Sequence, residues 1–127
     1  MKIAVASRDS RHVSGHAGKA RRWLIFEAEP GRAPVACPPV ELGRDEVFHY
    51  ASEDAPHPLD GVAAVIAGSC GEGFLRKMQR RGITAAMTRE PDPAKAVADW
   101  LDDRLSPPKP RPVMGLLCKL RDRMHTD

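Results

Sequence analysis

The sequence is poor in aromatic residues, with two Trp, one Tyr and three Phe among 127 residues. A core must therefore be assembled mainly from Val, Ile, Leu and Ala. The same scarcity argues against a nucleic-acid partner, because basic residues without interleaved aromatics offer no platform for stacked bases. Cysteine is equally sparse. Cys37, Cys70 and Cys118 lie far apart and form no Cys-x-x-Cys pair. That spacing excludes a disulfide framework and a metal centre closed by four thiolates. No apolar run approaches the ~20 residues of a membrane span, and the apolar stretch after Met1 is too short for a signal peptide. A reducing cytoplasm, with no stable membrane insertion, is the expected location.

What is present suits one globular domain. The length is that of a single domain, and 42% hydrophobic residues suffice for a core that folds without staples. Twelve prolines cluster near positions 30–40, 56–58, 91–93 and 107–112, where they mark loops and a tail. The net charge of +3 permits an anionic partner but selects none. Its distribution says more: Arg8, Arg11, Lys19, Arg21 and Arg22 face only Asp9 in the first loop, and Lys109, Arg111, Lys119, Arg121 and Arg123 crowd the C-terminus.

Apolar runs predict strands at Ile3–Ala6, Trp23–Ala28, Val62–Ala67 and Ile83–Met87, with a Pro-restricted edge strand near Ala33–Val40. A short helix is expected near Asp45, followed by a loop through Pro56-His57-Pro58. A second helix is predicted from Phe74 to Arg81, with Phe74, Leu75 and Met78 on one face and Gly82 ending it. Asp92-Pro93 supplies an N-cap and a first-turn proline for a third helix running to about Arg104, which buries Ala94, Val97, Ala98 and Leu101. These elements predict an α/β domain over residues 1–105, a three-layer α/β/α arrangement around a mixed five-stranded sheet. Residues 106–127 read as a Pro-rich linker and a basic tail, in which Val113, Leu116, Leu117, Leu120 and Met124 share one helical face. That face could dock on its own domain, on a partner or on a membrane surface.

Two Gly-rich loops carry the candidate chemistry. Ser14-Gly15-His16-Ala17-Gly18 follows the first strand, and its glycines let backbone approach a ligand closely. His16 offers an imidazole, the commonest metal-ligating side chain; equally, it could simply hydrogen-bond within a tight loop. Gly68-Ser69-Cys70-Gly71-Glu72-Gly73 joins a buried strand to a helix, where amide groups and the helix dipole favour an anion. Cys70, near that helix N-terminus, is expected to have a lowered pKa and thiolate character, or else to pack as a small residue under the turn. The loop lacks the Lys-Ser/Thr ending of a P-loop and the spacing of a dinucleotide fingerprint. Both loops follow the carboxyl ends of central strands, where open α/β sheets collect ligands. His16 and Cys70 are thus expected at one mouth, rimmed by Arg8, Arg11 and Arg22, with His12 as a second imidazole. His57 could swing toward that mouth, whereas His49 and His125 read as surface residues and Cys37 and Cys118 as non-ligands.

The strand Met1–Ser7, the run Val13-Ser14-Gly15-His16-Ala17-Gly18-Lys19-Ala20 and the strand Trp23–Glu27 resemble the dinitrogenase iron–molybdenum cofactor biosynthesis family. Leu59-Asp60-Gly61-Val62, the glycines at 68, 71 and 73, Arg81-Gly82-Ile83 and the stretch from Asp92-Pro93 to Ala96-Val97 are similar to its second half. Two departures stand out: Ala17 replaces a usual Phe, and Cys70 stands where an aliphatic residue or Met is common. The resemblance covers residues 1–105. It implies a ribonuclease-H-like fold and a non-catalytic role in binding or carrying an iron–sulfur or molybdenum–iron–sulfur cluster. The resemblance carries over directly to His16 and to the glycine loop; joined to the residues placed at the mouth above, the expected cofactor-binding set is Ser14, Gly15, His16, Gly68, Cys70, Gly71, Gly73 and Arg11, with His16, Cys70 and His12 as metal ligands. Soft thiolate and imidazole suit such clusters, and few ligands suit a carrier that must release its load. The implied partners are cofactor-assembly or recipient proteins, met as a monomer or weak homodimer.

Three rivals differ in class. A metal-dependent nuclease needs converging carboxylates, and only Asp9, Glu27 and Glu72 are near the mouth. A thiol enzyme pairing Cys70 with His16 lacks an orienting group and an oxyanion signature. An interaction or regulatory module acting through the basic tail, without a cluster, is the principal alternative.

Overall fold

In the computed structural model, which describes residues 1–108, period-two alternation along the central strands sends apolar side chains to both faces of one sheet. Ala4, Ala6, Trp23, Ile25, Val65 and Ala67 enter one core cluster, whereas Ile3, Val5, Phe26, Ala64 and Ile66 enter the other. A strand apolar on both sides must be covered twice. Two layers of helix and loop do so, which gives the expected three-layer α/β/α arrangement.

The strands are β1 (Lys2–Ala6), β2 (Arg22–Glu27), β3 (Val35–Glu41), β4 (Ala64–Ala67) and β5 (Thr84–Met87). Their order across the sheet is β3-β2-β1-β4-β5. β2 pairs antiparallel with β1 and β3, whereas β4 runs parallel to β1 and β5. The sheet is therefore mixed and five-stranded, with β2 alone reversed. Pro38 and Pro39 lie in edge strand β3, where one of the two missing N–H groups faces the open side and the pair falls at the register shift opposite Trp23–Ile25, so the ladder is already interrupted there.

Helix α1 (Glu72–Arg80) buries Phe74 and Met78 against the first cluster, with Leu75 half-buried. Gly82, at φ +70°, turns the chain after it, a conformation that favours glycine. Helix α2 (Pro93–Leu101) starts at Asp92, whose side chain accepts from the Ala94 and Lys95 N–H groups. It buries Ala96 and Val97 in the second cluster, and Ala94 and Leu101 pack on its margin. Ala96 was outside the expected stripe, and the helix ends short of Arg104.

The helix expected near Asp45 is replaced by successive turns. Glu46 N–H bonds to the Gly43 carbonyl, and the Tyr50 and Ala51 N–H groups converge on that of Val47. The Glu46 carboxylate also accepts from Gly43 N–H at 2.6 Å, so side-chain capping competes here with helix continuation. Val47 and Phe48 are nonetheless buried in the first cluster. After α2 the chain returns across the sheet, Leu105 packs on the second cluster, and the Arg89 N–H donates to the Pro107 carbonyl at 3.1 Å. The amphipathic segment predicted from Val113 onward, with Cys118 and His125, lies outside the described residues.

Candidate functional site

β1 and β4 are parallel neighbours, so their carboxyl ends open side by side and bring the two Gly-rich loops together. Main-chain bonds then stitch the loops. Ser14 N–H donates to the Ala6 carbonyl, Gly68 N–H to the Ser14 carbonyl, and Ala17 N–H to the Ser69 carbonyl, at 2.8–3.0 Å. A Cβ on Gly15 would sit 2.8 Å from the Ser69 hydroxyl oxygen. Glycine at 15 therefore serves the approach of one loop to the other.

That hydroxyl has a further task. Ser69 Oγ accepts the His16 N–H at 2.8 Å, where His16 adopts the left-handed conformation with φ 55° and ψ 55°. A non-glycine residue there is strained by roughly 1–3 kcal/mol and persists only when neighbours over-determine it. Here the over-determination comes from Ser69, from Ala17 N–H on the Ser69 carbonyl and from Lys19 N–H on the His16 carbonyl. The His16 side chain is left exposed at the mouth. Ser69 was not among the residues singled out from sequence. The contact that gives it this role spans 53 residues, and no local pattern signals it.

His16 stands between two clefts. The first, of about 310 Å³, is lined by Arg8, Ser14, Gly15, Lys19, Arg21, Arg22 and Glu41 beside His16. The second, of about 360 Å³, is floored by Phe48 and Phe74 and bordered by Lys19, His49, Gly71, Gly73 and Lys77. Gly71 caps α1 with φ −82° and has open space where a Cβ would stand. Its lack of a side chain thus answers no backbone demand and leaves the cleft wall bare. His49, read from sequence as a surface residue, belongs to this wall.

Of the two readings of Cys70, the structure fits the packed residue rather than the activated thiol. It is half-buried, packs against the first core cluster and lines none of these clefts. Burial pushes its thiol up to about 11, opposite to the lowering expected from a helix N-terminus. Removing the thiolate from water disfavours the charged form. The two Gly-rich loops therefore meet, but the exposed imidazole and the thiol do not share a cleft. Arg11 is likewise exposed and lines none of the clefts; its N–H donates to Asp9 Oδ1.

His12 has a defined partner. Its Nδ1 lies 2.7 Å from Asp9 Oδ2, and the other Asp9 oxygen accepts the His12 and Arg11 N–H groups at 2.8 Å. The His12 side-chain bond, with those two N–H groups, holds the Asp9 carboxyl well below the usual carboxylate range. A carboxylate on one ring nitrogen of an imidazole fixes the ring's orientation and turns the other nitrogen outward. Both residues lie with Arg8, Ser14 and Gly15 on a third cleft of about 360 Å³. Among the described residues no group of three or more His, Cys, Asp and Glu side chains is arranged to hold a metal ion. Neither Cys37, on edge strand β3, nor His57 reaches these clefts.

His57 is buried instead behind the second cleft. Its ring stacks on Phe48 at 4.0 Å, Nε2 lies 2.6 Å from the Glu46 carbonyl, and Nδ1 accepts the Leu59 N–H at 3.1 Å. These bonds require the neutral tautomer with its proton on Nε2. Burial lowers the His57 pKa, as does the charge of Arg81, whereas the Glu46 carbonyl, Asp60 and the Glu46 carboxylate oppose them. The unfolded chain then binds a proton below about pH 6.5 that the native ring refuses. Stability is expected to be full above that pH and to fall as pH drops toward 5. His57→Gln should flatten this slope in denaturant titrations at pH 5, 6 and 7. An unchanged slope would remove His57 as its cause. Asp9 and Glu90, whose carboxyl pKa values are lowered, act only at more acid pH.

With this geometry in hand, comparison with known proteins gives consistent matches. The family model described as dinitrogenase iron-molybdenum cofactor matches residues 1–103. Protein NifX of Rhodobacter capsulatus is 28% identical over 124 residues, which cover 91% of this chain and 78% of that protein. The crystal structure of PH0822 superposes with a TM-score of 0.62 at 16% identity, over 84% of this chain and 93% of that one. The NMR structure of TM1290 from Thermotoga gives 0.54 at 19% identity, over 87% and 97%. At such identities the two structures speak for the fold alone.

Proposed function

The chain belongs to the dinitrogenase iron-molybdenum cofactor family, and from that premise we propose that it binds and carries an anionic iron–sulfur or molybdenum–iron–sulfur cluster in nitrogenase-type cofactor biosynthesis, without catalysing a reaction. The observation that carries this reading is His16, an exposed imidazole held in a strained backbone conformation between two clefts. Strain of that kind persists where the surroundings insist on a particular side-chain direction.

The cluster is cargo, and its protein ligands are few by design. His16 is the principal ligand. His12, oriented by Asp9, is the second imidazole, at the neighbouring cleft. Cys70 would have to lose its proton against a raised pKa, so it contributes only if cluster binding itself draws the thiolate out of the core. Ser14, Gly15 and Gly68 shape the joined loops, and Gly71 and Gly73 keep the second cleft open. The cargo's negative charge meets Arg8, Lys19, Arg21 and Arg22 around the first cleft. Partners would be cofactor-assembly or recipient proteins in the cytoplasm, met by a monomer or weak homodimer. Among the described residues no helix is long and apolar enough to cross a membrane.

The test is anaerobic reconstitution with an iron–sulfur or molybdenum–sulfur source, read by visible absorbance and metal content. The wild-type chain should retain cluster after gel filtration. His16→Ala should lose most of it and His12→Ala a smaller part. Retention undiminished in both His16→Ala and Cys70→Ala would overturn the site.

A further inference from the structure

The first cleft has a composition that imidazole ligation does not explain. Four cationic side chains line its walls: Arg8 from the loop after β1, Lys19 from the 3₁₀ turn Ala17–Lys19, Arg21 just before β2 and Arg22 at its start. Among the described residues one carboxylate lines the cleft with them, Glu41, and it is already engaged by Arg22 Nη2 at 3.2 Å. Arg22 Nη1 is held by Ser10 Oγ at 2.8 Å, and Arg21 Nε donates to the Leu42 carbonyl at 3.1 Å. These bonds anchor two of the cations and leave part of each fork undirected. Neither Arg8 nor Lys19 has an ion-pair partner among the described residues.

Like charges from three elements repel where they converge, and a fold tolerates that in a concavity when an anion completes it. A cleft wall also lowers the effective dielectric, which strengthens the attraction for a ligand bearing two negative charges in a small volume. Guanidinium forks match the paired oxygens of a carboxylate or a tetrahedral oxyanion. A broad acidic protein face would instead meet such cations on an open surface.

We infer that this cleft is an anion subsite in its own right, which takes a small oxyanion of charge −2 or more without any metal. Arg8 and Lys19 supply the unengaged charge, and the Arg22–Glu41 pair fixes the rim. The inference extends the carrier reading by giving the mouth a second recognition element beside His16. The oxyanion could reach the cleft free or attached to the cargo, and the chemistry that recognises it is the same in both cases.

The experiment uses metal-free protein, so it can fail or succeed independently of cluster binding. Sulfate and malonate, two dianions of different shape, are titrated calorimetrically at a fixed ionic strength, with chloride as the control, because surface charge pairs are screened over about 10 Å at 0.1 M salt. Saturable binding of at least one dianion at unit stoichiometry is expected. Preference for sulfate would identify an inorganic oxyanion site, and preference for malonate a carboxylate site. The double variant Arg8→Ala, Lys19→Ala should weaken binding by about tenfold or more, since two charge-assisted contacts are lost. Arg80→Ala, which removes a cation paired with Glu53 outside the cleft, should leave dianion affinity within about twofold of wild type, a difference of only a few tenths of a kcal/mol. Absence of saturable binding, equal affinity in the double variant, or binding to polyglutamate but to neither dianion would overturn the inference.

Discussion

His16→Gly is expected to lose most of the retained cluster while the chain melts no lower than wild type. The two halves of this result have separate causes. Glycine removes the imidazole, and with it the principal ligand at the mouth. It also removes the Cβ that makes φ 55° unfavourable, a relief of about 1–2 kcal/mol. Against this stands the greater freedom that glycine gives the unfolded chain, worth about 0.4–1 kcal/mol in the opposite sense. The net change in stability is therefore close to zero or slightly favourable. The Ser69 Oγ bond to the backbone N–H of residue 16 is preserved, so the joined loops stay in register.

The same substitution would read differently if His16 served only the fold. Its side chain would then hold the loop, and glycine would loosen it. Thermal melting and metal content, measured on one preparation, separate these cases. A marked fall in melting temperature with cluster retained would make His16 a structural residue. His16→Ala is the companion variant: it too loses the imidazole, but it keeps the backbone strain and should melt near wild type. A stability gain confined to the glycine variant identifies relief of the left-handed conformation as its source.

Residue patterns along the chain reveal the sheet and much of the mouth. Ile3–Ala6 and Ala64–Ala67 are apolar at every position because both faces of the sheet are covered, and such runs read plainly as buried strands. Asp92-Pro93 and Gly82 mark helix boundaries through local chemistry that tertiary context has no reason to override. The chain near Asp45 misleads because its apolar residues, Val47 and Phe48, are adjacent and enter the core from a turn rather than a helical stripe. Cys70 misleads for another reason. A helix N-terminus lowers a thiol pKa only where water or countercharge supports the thiolate, and here the residue packs against the core. Ser69 is silent in the sequence because its function arises from a loop 53 residues away.

Trp23→Ala is expected to produce the largest loss of stability of any single substitution in the domain. Trp23 is fully buried at the centre of the first core cluster. Its ring stacks over Phe74 of α1 at 6.3 Å and meets the edge of Phe48 at the same distance. Its indole N–H donates to the Ala20 carbonyl at 3.3 Å, just beyond the 3₁₀ turn that carries Lys19. One side chain thus ties β2 to α1, to the turn-rich segment after β3 and to the loop bearing His16. In a sequence with so few aromatics, no neighbour is large enough to fill the space it would leave. Truncation of a buried Trp costs about 3–5 kcal/mol, which in a domain of this size lowers the melting temperature by roughly 10–20 °C. Phe48 and Phe74 also floor the second cleft, so the cavity should loosen that cleft before the domain unfolds. Trp23→Phe, which preserves an aromatic contact but not the indole bond, should recover about half of the loss. Equal melting of the alanine and phenylalanine variants would mean that volume at this position contributes little and that the clefts are supported from elsewhere.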